Sequence, residues 1–422
     1  MHKNCIKFDF NLQVNVMNRF PKFPKRIDPH INSILTMKSV RFIPVIILFN
    51  NFKDKSIGRK LQRAGFKMKW ELPFINGICG YIPSRNFENL QKLIEIKKIY
   101  YDGKAKLMGW IDVDNDKNDA SSYSVKSSML SGKGVSIAFI DSGVYPHKHL
   151  VGSKNKIFAF RDFVNEINYP YDDSGHGTAC IGAVCGFSSD GKFTAPAFDS
   201  RIVCAKAFDV ADYGLYSDIL GAMQWILDIK EKYNIRIAVM SFGTEHANND
   251  FDILSYGAEA MWEKGIFVIC SSGNLGPNAG TITSPGHNSK VLTVGAFKNQ
   301  DGKPIVLPYS SRGPGKGNTM KPDIVMPGCF ISSLNSDKSY YPAEKSKFGF
   351  EFKSQRTDYV KFSGTSAAVS QTAAAVAFLY EKKGDISPDD AKSIIKLCCA
   401  SLGDSKMAQG EGFIDVKKIE EI

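Results

Sequence analysis

The sequence has few of the features that mark secreted, zinc-binding or membrane-spanning proteins. Its nine cysteines are an odd number, they are scattered, and no pair has the Cys-x-x-Cys spacing. This usage excludes a disulfide framework and a cysteine-based zinc site, and it is typical of a reducing compartment. The longest early apolar stretch, Ile43–Phe49, contains Pro44 and is far too short to span a bilayer.

A signal peptide is also missing from the amino-terminal region. Polar and charged side chains interrupt residues 1–30, so no unbroken apolar core of a leader is present. We therefore expect a cytoplasmic protein with no membrane partner. Apolar residues make up 43% of the 422-residue chain, enough for a sizeable core, and the length suggests two domains or one large domain with an extension.

Positive charge is concentrated in the first quarter of the chain. The sequence has 54 basic and 43 acidic residues, and residues 1–102 hold 19 of the basic and only 7 of the acidic ones. The net charge of that segment is thus +12, and the net charge of the rest is −1. Two explanations are open at this stage: an arm that binds nucleic acid, or a small domain that docks on the rest of the chain.

Four segments can be distinguished by pattern. Residues 1–38 are polar, basic and interrupted by proline, and they are expected to form a loose arm. Residues 39–102 alternate strand and helix patterns in the order βαββαβ, with a hairpin at Asn76-Gly77, which predicts a small ferredoxin-like α+β domain. Residues 103–131 are expected to be an exposed polar linker, and residues 132–422 a larger domain.

The larger domain has the pattern of a doubly wound α/β fold with a mostly parallel sheet. Its short strands are apolar throughout, which indicates that both faces of the sheet are buried under helices. In such sheets the functional groups lie at the carboxyl ends of the strands. The predicted strands are VSIAFI, RIVCAKAF, RIAVMSF, IFVICSSG and KVLTVGAF.

One serine stands directly before an alanine-rich apolar helix, in the stretch Phe362–Tyr380. The ordinary interpretation is a capped core helix, with Ser363 or Thr365 as the cap. The alternative is that Ser366 is a nucleophile placed where the helix dipole stabilises developing negative charge. That alternative requires a base, a residue that orients the base, and a hydrogen-bond donor for an oxyanion.

Candidates for these three partners occur at the ends of other predicted elements. Asp141 ends the first buried strand, His176 lies between two glycines before a helix of small residues, and Asn274 follows a later strand. Each residue alone is compatible with a structural role in a turn or core. Together they supply an acid, a base and an amide donor along one sheet, which favours the nucleophile interpretation of Ser366.

The order Asp, His, Asn, Ser and the motifs around these residues resemble the subtilisin-like serine proteases. The motifs are Asp-Ser-Gly, Gly-His-Gly-Thr and Gly-Thr-Ser, supported by MSFG, YSSRGP and KPDIVMPG farther along the chain. The resemblance extends from about Gly132 to Ala400. It implies that Asp141 orients His176, that His176 is the general base for Ser366, and that Asn274 holds the oxyanion.

The same resemblance implies where substrates bind and how the protein is made. An extended protein or peptide substrate is expected to pair with two main-chain segments; their residues are Ser241, Phe242, Gly243, Ser271, Ser272 and Gly273. Residues 39–102 resemble the inhibitor-like propeptide of the family, so self-processing between about Tyr101 and Ser122 is expected. With this interpretation the basic segment needs no nucleic-acid partner. The missing leader suggests the intracellular bacterial branch.

No cofactor is required by the expected mechanism, and calcium is not supported by a recognisable site. The loop Phe187–Pro196 is short where secreted relatives have a calcium-binding insertion. Asp112, Asp114 and Asp116 alternate as in an EF-hand but lack its glycine and glutamate.

Three residues or pairs depart from the family pattern, namely Ala179-Cys180, Ala367 and Ser370-Gln371. None is a member of the expected triad, so activity should survive.

The rival to a protease is an inactive binding or regulatory protein on the same fold. An esterase would need a Gly-x-Ser-x-Gly elbow, which Ser366 lacks.

Overall fold

The structure is a computed structural model, and it describes residues 27–35, 40–52, 56–112, 125–152, 154–244, 252–340 and 357–422. The chain divides into two units. The first unit comprises residues 1–69 and 76–101, and the second comprises residues 70–75 and 102–422. Among the described residues, no helix is both long enough and apolar enough to cross a membrane.

The first unit contains a four-stranded sheet with the element order βαββαβ after one short helix. Its strand order is β2-β3-β1-β4, and β1 is antiparallel to both of its neighbours. The elements are α1 Pro29–Leu35, β1 Phe42–Phe49, α2 Ser56–Arg63, β2 Lys67–Leu72, β3 Gly77–Pro83, α3 Phe87–Gln91 and β4 Ile96–Tyr101. The role of this unit as a propeptide stays a prediction at this point.

The loose arm predicted for residues 1–38 is wrong for the part that the structure describes. Residues 29–35 form helix α1, and Ile27 pairs with Ile99 of strand β4. Ile31 is fully buried in the core of the first unit. The apolar spacing of Ile31, Ile34 and Leu35 explains the difference, because residues three and four apart lie on one face of a helix. Residues 1–26 and 36–38 of the predicted arm lie outside the described residues.

The second unit contains an eight-stranded sheet and most of the helices. Its elements up to the middle of the chain are β5 Lys104–Leu107, β6 Trp110–Asp112, β7 Ser136–Asp141, α4 Lys148–Val151, β8 Ile157–Asp162, α5 His176–Cys185, β9 Arg201–Lys206, β10 Tyr213–Leu215, α6 Tyr216–Tyr233, β11 Ile235–Met240 and β12 Phe242–Gly243. The later elements are α7 Ile253–Glu263, β13 Phe267–Ser271, β14 Leu292–Gln300, β15 Lys303–Val306, β16 Ile324–Pro327, β17 Ile331–Leu334, β18 Tyr359–Ser363, α8 Thr365–Lys383, α9 Pro388–Leu397, β19 Cys399–Ala400, α10 Lys406–Gln409, β20 Phe413–Ile414 and α11 Val416–Glu421.

The predicted doubly wound sheet is confirmed. Its order is β15-β14-β13-β11-β7-β9-β8, with β16 also paired to β14, and every pair except β14 with β15 is parallel. The five predicted strands correspond to β7, β9, β11, β13 and β14. Helix α8 is buried from Thr365 to Tyr380, so the alanine-rich helix lies in the core and starts at the carboxyl-end edge of the sheet.

The exposed linker predicted for residues 103–131 is wrong for residues 104–112. Strand β5 forms the centre of a three-stranded sheet between β10 and β12, and strand β6 pairs with β18. Residues 113–124 of the predicted linker, with Asp114 and Asp116, lie outside the described residues. The second unit therefore contains two strands that come from what the sequence indicated to be a connection.

Candidate active site

Three side chains from distant parts of the chain meet in one buried hydrogen-bonded row. Asp141 ends strand β7, His176 is the first residue of α5, and Ser366 is the second residue of α8. The Asp141 Oδ1 lies 2.7 Å from His176 Nδ1, and His176 Nε2 lies 3.0 Å from Ser366 Oγ. An acid that orients a histidine, and a histidine within hydrogen-bond reach of a hydroxyl, are the parts of an activated nucleophile.

The charge state of His176 is set by two opposed effects. Burial by itself would lower the pKa of His176, but the adjacent Asp141 carboxylate outweighs burial and raises that pKa well above its ordinary value. The Asp141 Oδ1 also accepts a hydrogen bond of 2.8 Å from the Ser142 amide. Because the carboxylate is 1% exposed, its charge is screened little by solvent and acts mainly on the imidazole.

The Ser366 hydroxyl has a second acceptor besides the histidine. Its Oγ lies 3.1 Å from the carbonyl oxygen of Ser241, to which it donates. One hydroxyl proton cannot serve both partners at once. When His176 is protonated it donates to Ser366, and the serine proton turns to Ser241. When His176 is neutral it can accept that proton, so the row becomes reactive only as the imidazolium loses its proton.

A buried carboxylate that the sequence analysis missed holds the loop in front of His176. The Asp172 Oδ1 accepts from the Ser142 hydroxyl at 2.9 Å and from the Gly175 amide at 2.8 Å. Its Oδ2 accepts from the amide and the hydroxyl of Thr178 at 2.8 and 2.7 Å. Asp172 thus ties the end of β7 to both sides of His176. The signal was the acidic pair Asp172-Asp173, one residue before the Gly-His-Gly motif, which is also a common turn composition.

A buried lysine, also missed, connects the same loops from the other side. Lys206 is fully buried, and its ammonium donates to the carbonyls of Ser142 and Phe208 at 2.6 and 2.9 Å. It also forms an ion pair with Asp173 at 2.6 Å. Every one of its three protons therefore has an oxygen partner, which is the condition for burying an ammonium group at acceptable cost.

Asn274 lies beside the start of α8. Its Oδ1 accepts hydrogen bonds from the amide and the hydroxyl of Thr365, at 3.1 and 2.9 Å. The bond from the amide fixes the orientation of the Asn274 side chain, because a flipped side chain would present its NH₂ group to a main-chain N–H that cannot accept. A β-carbon built on Gly364 would lie 3.3 Å from the Asn274 Nδ2 and 2.5 Å from the Met108 carbonyl oxygen, so both atoms lie on the same side of that glycine.

The chain itself occupies the groove in front of Ser366. Strand β5 is antiparallel to β12, with Lys106 opposite Gly243, and it pairs on its other edge with β10. The Met108 amide donates to the Ser241 carbonyl at 2.9 Å. The Met108 carbonyl accepts from the Ser366 amide at 3.0 Å. The amide of the candidate nucleophile therefore already has a main-chain carbonyl as its acceptor.

Beyond Met108 the segment continues through the site without a break. Gly109 lies against the His176 ring and the Ser366 side chain, and Trp110 pairs with Ser363 of strand β18. The Trp110 ring contacts the Tyr309 ring edge-on, with 5.0 Å between centroids. Residues 104–112 thus enter on one side of Ser366, cross it, and leave on the other in extended conformation, as a bound peptide would.

The segment differs in one respect from the expected substrate contacts. Ser241, Phe242 and Gly243 contribute to its main-chain pairing, but the second neighbouring strand is β10, which the sequence analysis did not propose. The main chain of Ser272 and Gly273 bonds instead with Val294, Thr283 and Ser311. The Ser271 hydroxyl donates to the Phe242 carbonyl at 3.1 Å and so supports β12 from behind.

One group of described residues could bring three metal-ligand atoms together, namely Asp141, His176 and Cys180. The Cys180 sulfur lies 3.7 Å from His176 Nδ1, and burial raises the pKa of its thiol. Calcium takes six to eight oxygen ligands, so a set of one carboxylate, one imidazole and one thiol does not fit it. The thiol packs beneath the histidine as a small neutral group.

The sequence of this chain is similar to those of known proteins. Residues 132–413 match the profile of Peptidase_S8, described as the Subtilase family. The chain is 34% identical over 328 residues to serine protease AprX of Bacillus subtilis (strain 168), covering 74% of this chain and 72% of that protein. It is 24% identical over 288 residues to subtilisin Savinase of Lederbergia lenta, covering 68% and 91% of the two.

A solved structure is similar over most of the chain. It is fervidolysin from Fervidobacterium pennivorans, described as a keratinolytic enzyme related to subtilisin. The TM-score is 0.71 at 17% sequence identity, and the match covers 90% of this chain and 61% of fervidolysin. At that identity the similarity supports the fold alone.

Proposed function

Since this chain belongs to the subtilase family and is a subtilisin-like serine protease, we propose that it is an endopeptidase whose nucleophile is Ser366. In this proposal His176 is the general base and Asp141 orients it. The observation that carries the assignment is the row of two short hydrogen bonds, 2.7 and 3.0 Å, that ends on the serine hydroxyl. A catalytically inactive member would be expected to have lost one of these groups, and the chain retains all of them.

The proposed reaction starts with the proton of Ser366. Neutral His176 removes it while the serine oxygen adds to the carbonyl carbon of the peptide bond. The resulting imidazolium is stabilised by the buried Asp141 carboxylate, which is the interaction that raises the pKa of His176. His176 then gives the proton to the leaving amine. Water repeats the sequence on the acyl-enzyme ester and releases the second product.

Charge that develops on the carbonyl oxygen is held by two hydrogen-bond donors. The first is the Ser366 amide, which already donates to the Met108 carbonyl in this structure. The second is Asn274 Nδ2, whose direction is set by the two bonds that Thr365 donates to its Oδ1. Donors held in place before the reaction need no reorganisation when the charge appears, which is why such sites are effective.

The catalytic assignment is tested by replacing Ser366 with alanine in the full chain. Ser366→Ala removes the nucleophile but little volume, so we expect hydrolysis of a labelled casein to be abolished. Stability should change by less than about 1 kcal/mol, as is usual for a mild substitution. Turnover by the purified variant above a contamination control would overturn the assignment of the nucleophile.

We further propose that the enzyme is made as a zymogen that cuts itself between about Tyr101 and Ser122, and that residues 39–102 act as its intramolecular inhibitor. Residues 104–112 lie across Ser366 as a substrate would, so the unprocessed chain blocks its own site. A tethered segment has an effective concentration on the order of millimolar, which keeps even a weak inhibitor bound. Protein and peptide substrates can enter only after this segment leaves.

Self-processing is tested by expressing wild type and Ser366→Ala side by side and weighing both chains. We expect wild type alone to lose about its first hundred residues, and we expect a separate fragment 1–102 to inhibit the remainder. The same fragments in both preparations would show that another protease makes the cut.

The proposed compartment is the cytoplasm, since the cysteines of the described part of the chain are all free thiols.

A further inference from the structure

We propose that the bond cut in this chain is Met108–Gly109, and that the enzyme requires glycine directly after the cleaved bond in its other substrates. The inference rests on the proposed function, because it names the bond and the substrate class of the same site. The contacts of three atoms support it: the Met108 carbonyl oxygen, the Gly109 α-carbon and the Met108 terminal methyl group.

The carbonyl that faces the oxyanion donor identifies the bond. Among the described residues of the segment, Met108 is the one whose carbonyl accepts from the Ser366 amide. Strands on both sides fix this register: Leu107 pairs with Phe242 before the bond, and Trp110 pairs with Ser363 after it. A shift by one residue would turn every side chain of the segment to the opposite face, so neighbouring bonds are disfavoured as alternatives.

The residue after the bond has no room for a side chain. A β-carbon built on Gly109 would lie 2.9 Å from His176 Nε2, 3.0 Å from Ser366 Cβ and 3.1 Å from the Ser363 carbonyl oxygen. None of these atoms can move away at little cost. The imidazole is held by Asp141, the serine is anchored in the first turn of α8, and the carbonyl belongs to strand β18. Alanine at this position would displace the catalytic groups themselves.

The residue before the bond lies in a pocket with a main-chain wall. Met108 is buried, and its terminal methyl group contacts Gly243, where an added β-carbon would lie 2.8 Å from it. Thr283 lies at the same wall, where its Oγ1 and Cβ would be 2.3 and 2.8 Å from that built β-carbon. A long unbranched apolar side chain reaches this wall, whereas a charged side chain would be buried there without a described counter-ion. The substrate class is therefore a long apolar residue followed by glycine.

The cut follows the proposed mechanism with all atoms accounted for. The Ser366 oxygen bonds to the Met108 carbonyl carbon, and the bond from that carbon to the Gly109 nitrogen breaks. His176 carries the serine proton to the Gly109 nitrogen, which becomes a new amino terminus. Water then splits the ester, which leaves Met108 with a free carboxylate and restores the serine.

The test uses the full chain and a pair of peptides. Wild-type protein is incubated until it is processed, and the new amino terminus is sequenced; we expect it to be Gly109. The processed enzyme is then given two quenched fluorescent peptides, KAKLMGWID, which is the sequence of residues 104–112, and the same peptide with alanine in place of glycine. We expect kcat/KM to be about tenfold to a hundredfold lower for the alanine peptide, the range expected for one methyl group forced into a packed site.

A matched pair of variants supports the peptide result. Gly109→Ala in the full chain should slow self-processing by a similar factor. Gly58→Ala is the control, because a β-carbon at that helix position meets no atom within 4 Å, and it should process like wild type. The peptide comparison uses wild-type enzyme and so does not depend on whether either variant folds.

The outcomes separate this inference from the function on which it rests. A different new amino terminus, or equal rates on the two peptides, would overturn the inference while Ser366-dependent hydrolysis of casein leaves the protease assignment intact. If casein and both peptides are hydrolysed no faster than by Ser366→Ala, the proposed function itself is wrong, and this inference is overturned with it.

Discussion

Replacing Asp172 with asparagine tests whether this missed residue holds the active-site loop. Asp172 is buried, and its two carboxylate oxygens accept five hydrogen bonds, from Ser142, Ser174, Gly175 and twice from Thr178. Asparagine has nearly the same shape but presents an NH₂ group on one side. Whichever side it takes, that group faces main-chain N–H donors that can no longer be satisfied there.

The expected loss of stability follows from the hydrogen bonds on each side of the Asp172 carboxylate. The hydroxyls of Ser142 and Thr178 can rotate and accept from the new NH₂ group. They then keep a hydrogen bond and lose only its strengthening by the carboxylate charge. At least one main-chain amide, of Thr178 or of Gly175, keeps its proton and loses a charged acceptor. A hydrogen bond to a charged group contributes about 1.5–3 kcal/mol, and an unsatisfied buried donor costs a similar amount. We therefore expect Asp172→Asn to lower the free energy of unfolding by about 2–3 kcal/mol.

The assay is urea unfolding in the Ser366→Ala background, where self-digestion cannot interfere. Tryptophan fluorescence is the suitable signal, because all four tryptophans lie in the second unit, within residues 70–75 and 102–422. Asp385→Asn is the control: its side chain is 80% exposed in a surface pair with Arg236, so it should change stability by less than about 1 kcal/mol. Equal unfolding midpoints for Asp172→Asn and the control would refute the proposed role of Asp172.

Three further predictions concern the site itself. Asn274→Ala should lose about 100- to 1,000-fold in kcat with little change in fold, as reported for removal of one such oxyanion donor in subtilisin, and a fully active variant would place the donor elsewhere. Because the pKa of His176 is raised, its protonated pair with Asp141 stabilises the fold at low pH, and this contribution is lost as pH rises through the folded-state pKa. The fraction of neutral His176, and with it kcat/KM, should increase over the same pH interval. An acid limb of the kcat/KM profile at or below about pH 6.5 would contradict this prediction. Cys180 should resist alkylation by iodoacetamide in the native enzyme and react only after unfolding, since burial raises its thiol pKa; peptide mapping by mass spectrometry distinguishes the two cases.

The parts of the fold that could be predicted are those with a local pattern. Strands β7, β9, β11, β13 and β14 each contain a run of consecutive apolar residues instead of an alternating pattern, which is the signature of a strand buried on both faces. Asp141, His176, Asn274 and Ser366 could be proposed because each follows or begins such an element and each lies in a short motif. The distances between them are a property of the folded sheet, and no spacing along the chain contains them.

The remaining residues escaped because their roles depend on partners far away in the sequence. Asp172 resembles any turn aspartate until Ser142 and Thr178 are seen around it. Lys206 ends a strand where a cation would be costly, and the carbonyls of Ser142 and Phe208 together with the Asp173 carboxylate make it acceptable. A buried polar group is informative about function only once its partners are known, and a single sequence does not supply them.

The segment Lys104–Leu107 shows most directly why a connection and a strand can look alike. Its side chains alternate between exposed and buried, but over only four residues, too few to establish a period. Its partners, β10 and β12, have only three and two residues. The segment lies between them, so the two strands belong to one sheet only through it. Removing the segment would leave open main-chain edges on both, which is the arrangement that an extended substrate completes. In the proposed zymogen this strand fills the place first and leaves it after the cut, so it has to resemble a substrate. On that proposal its own residues, Met108 and Gly109, indicate which peptides the site accepts.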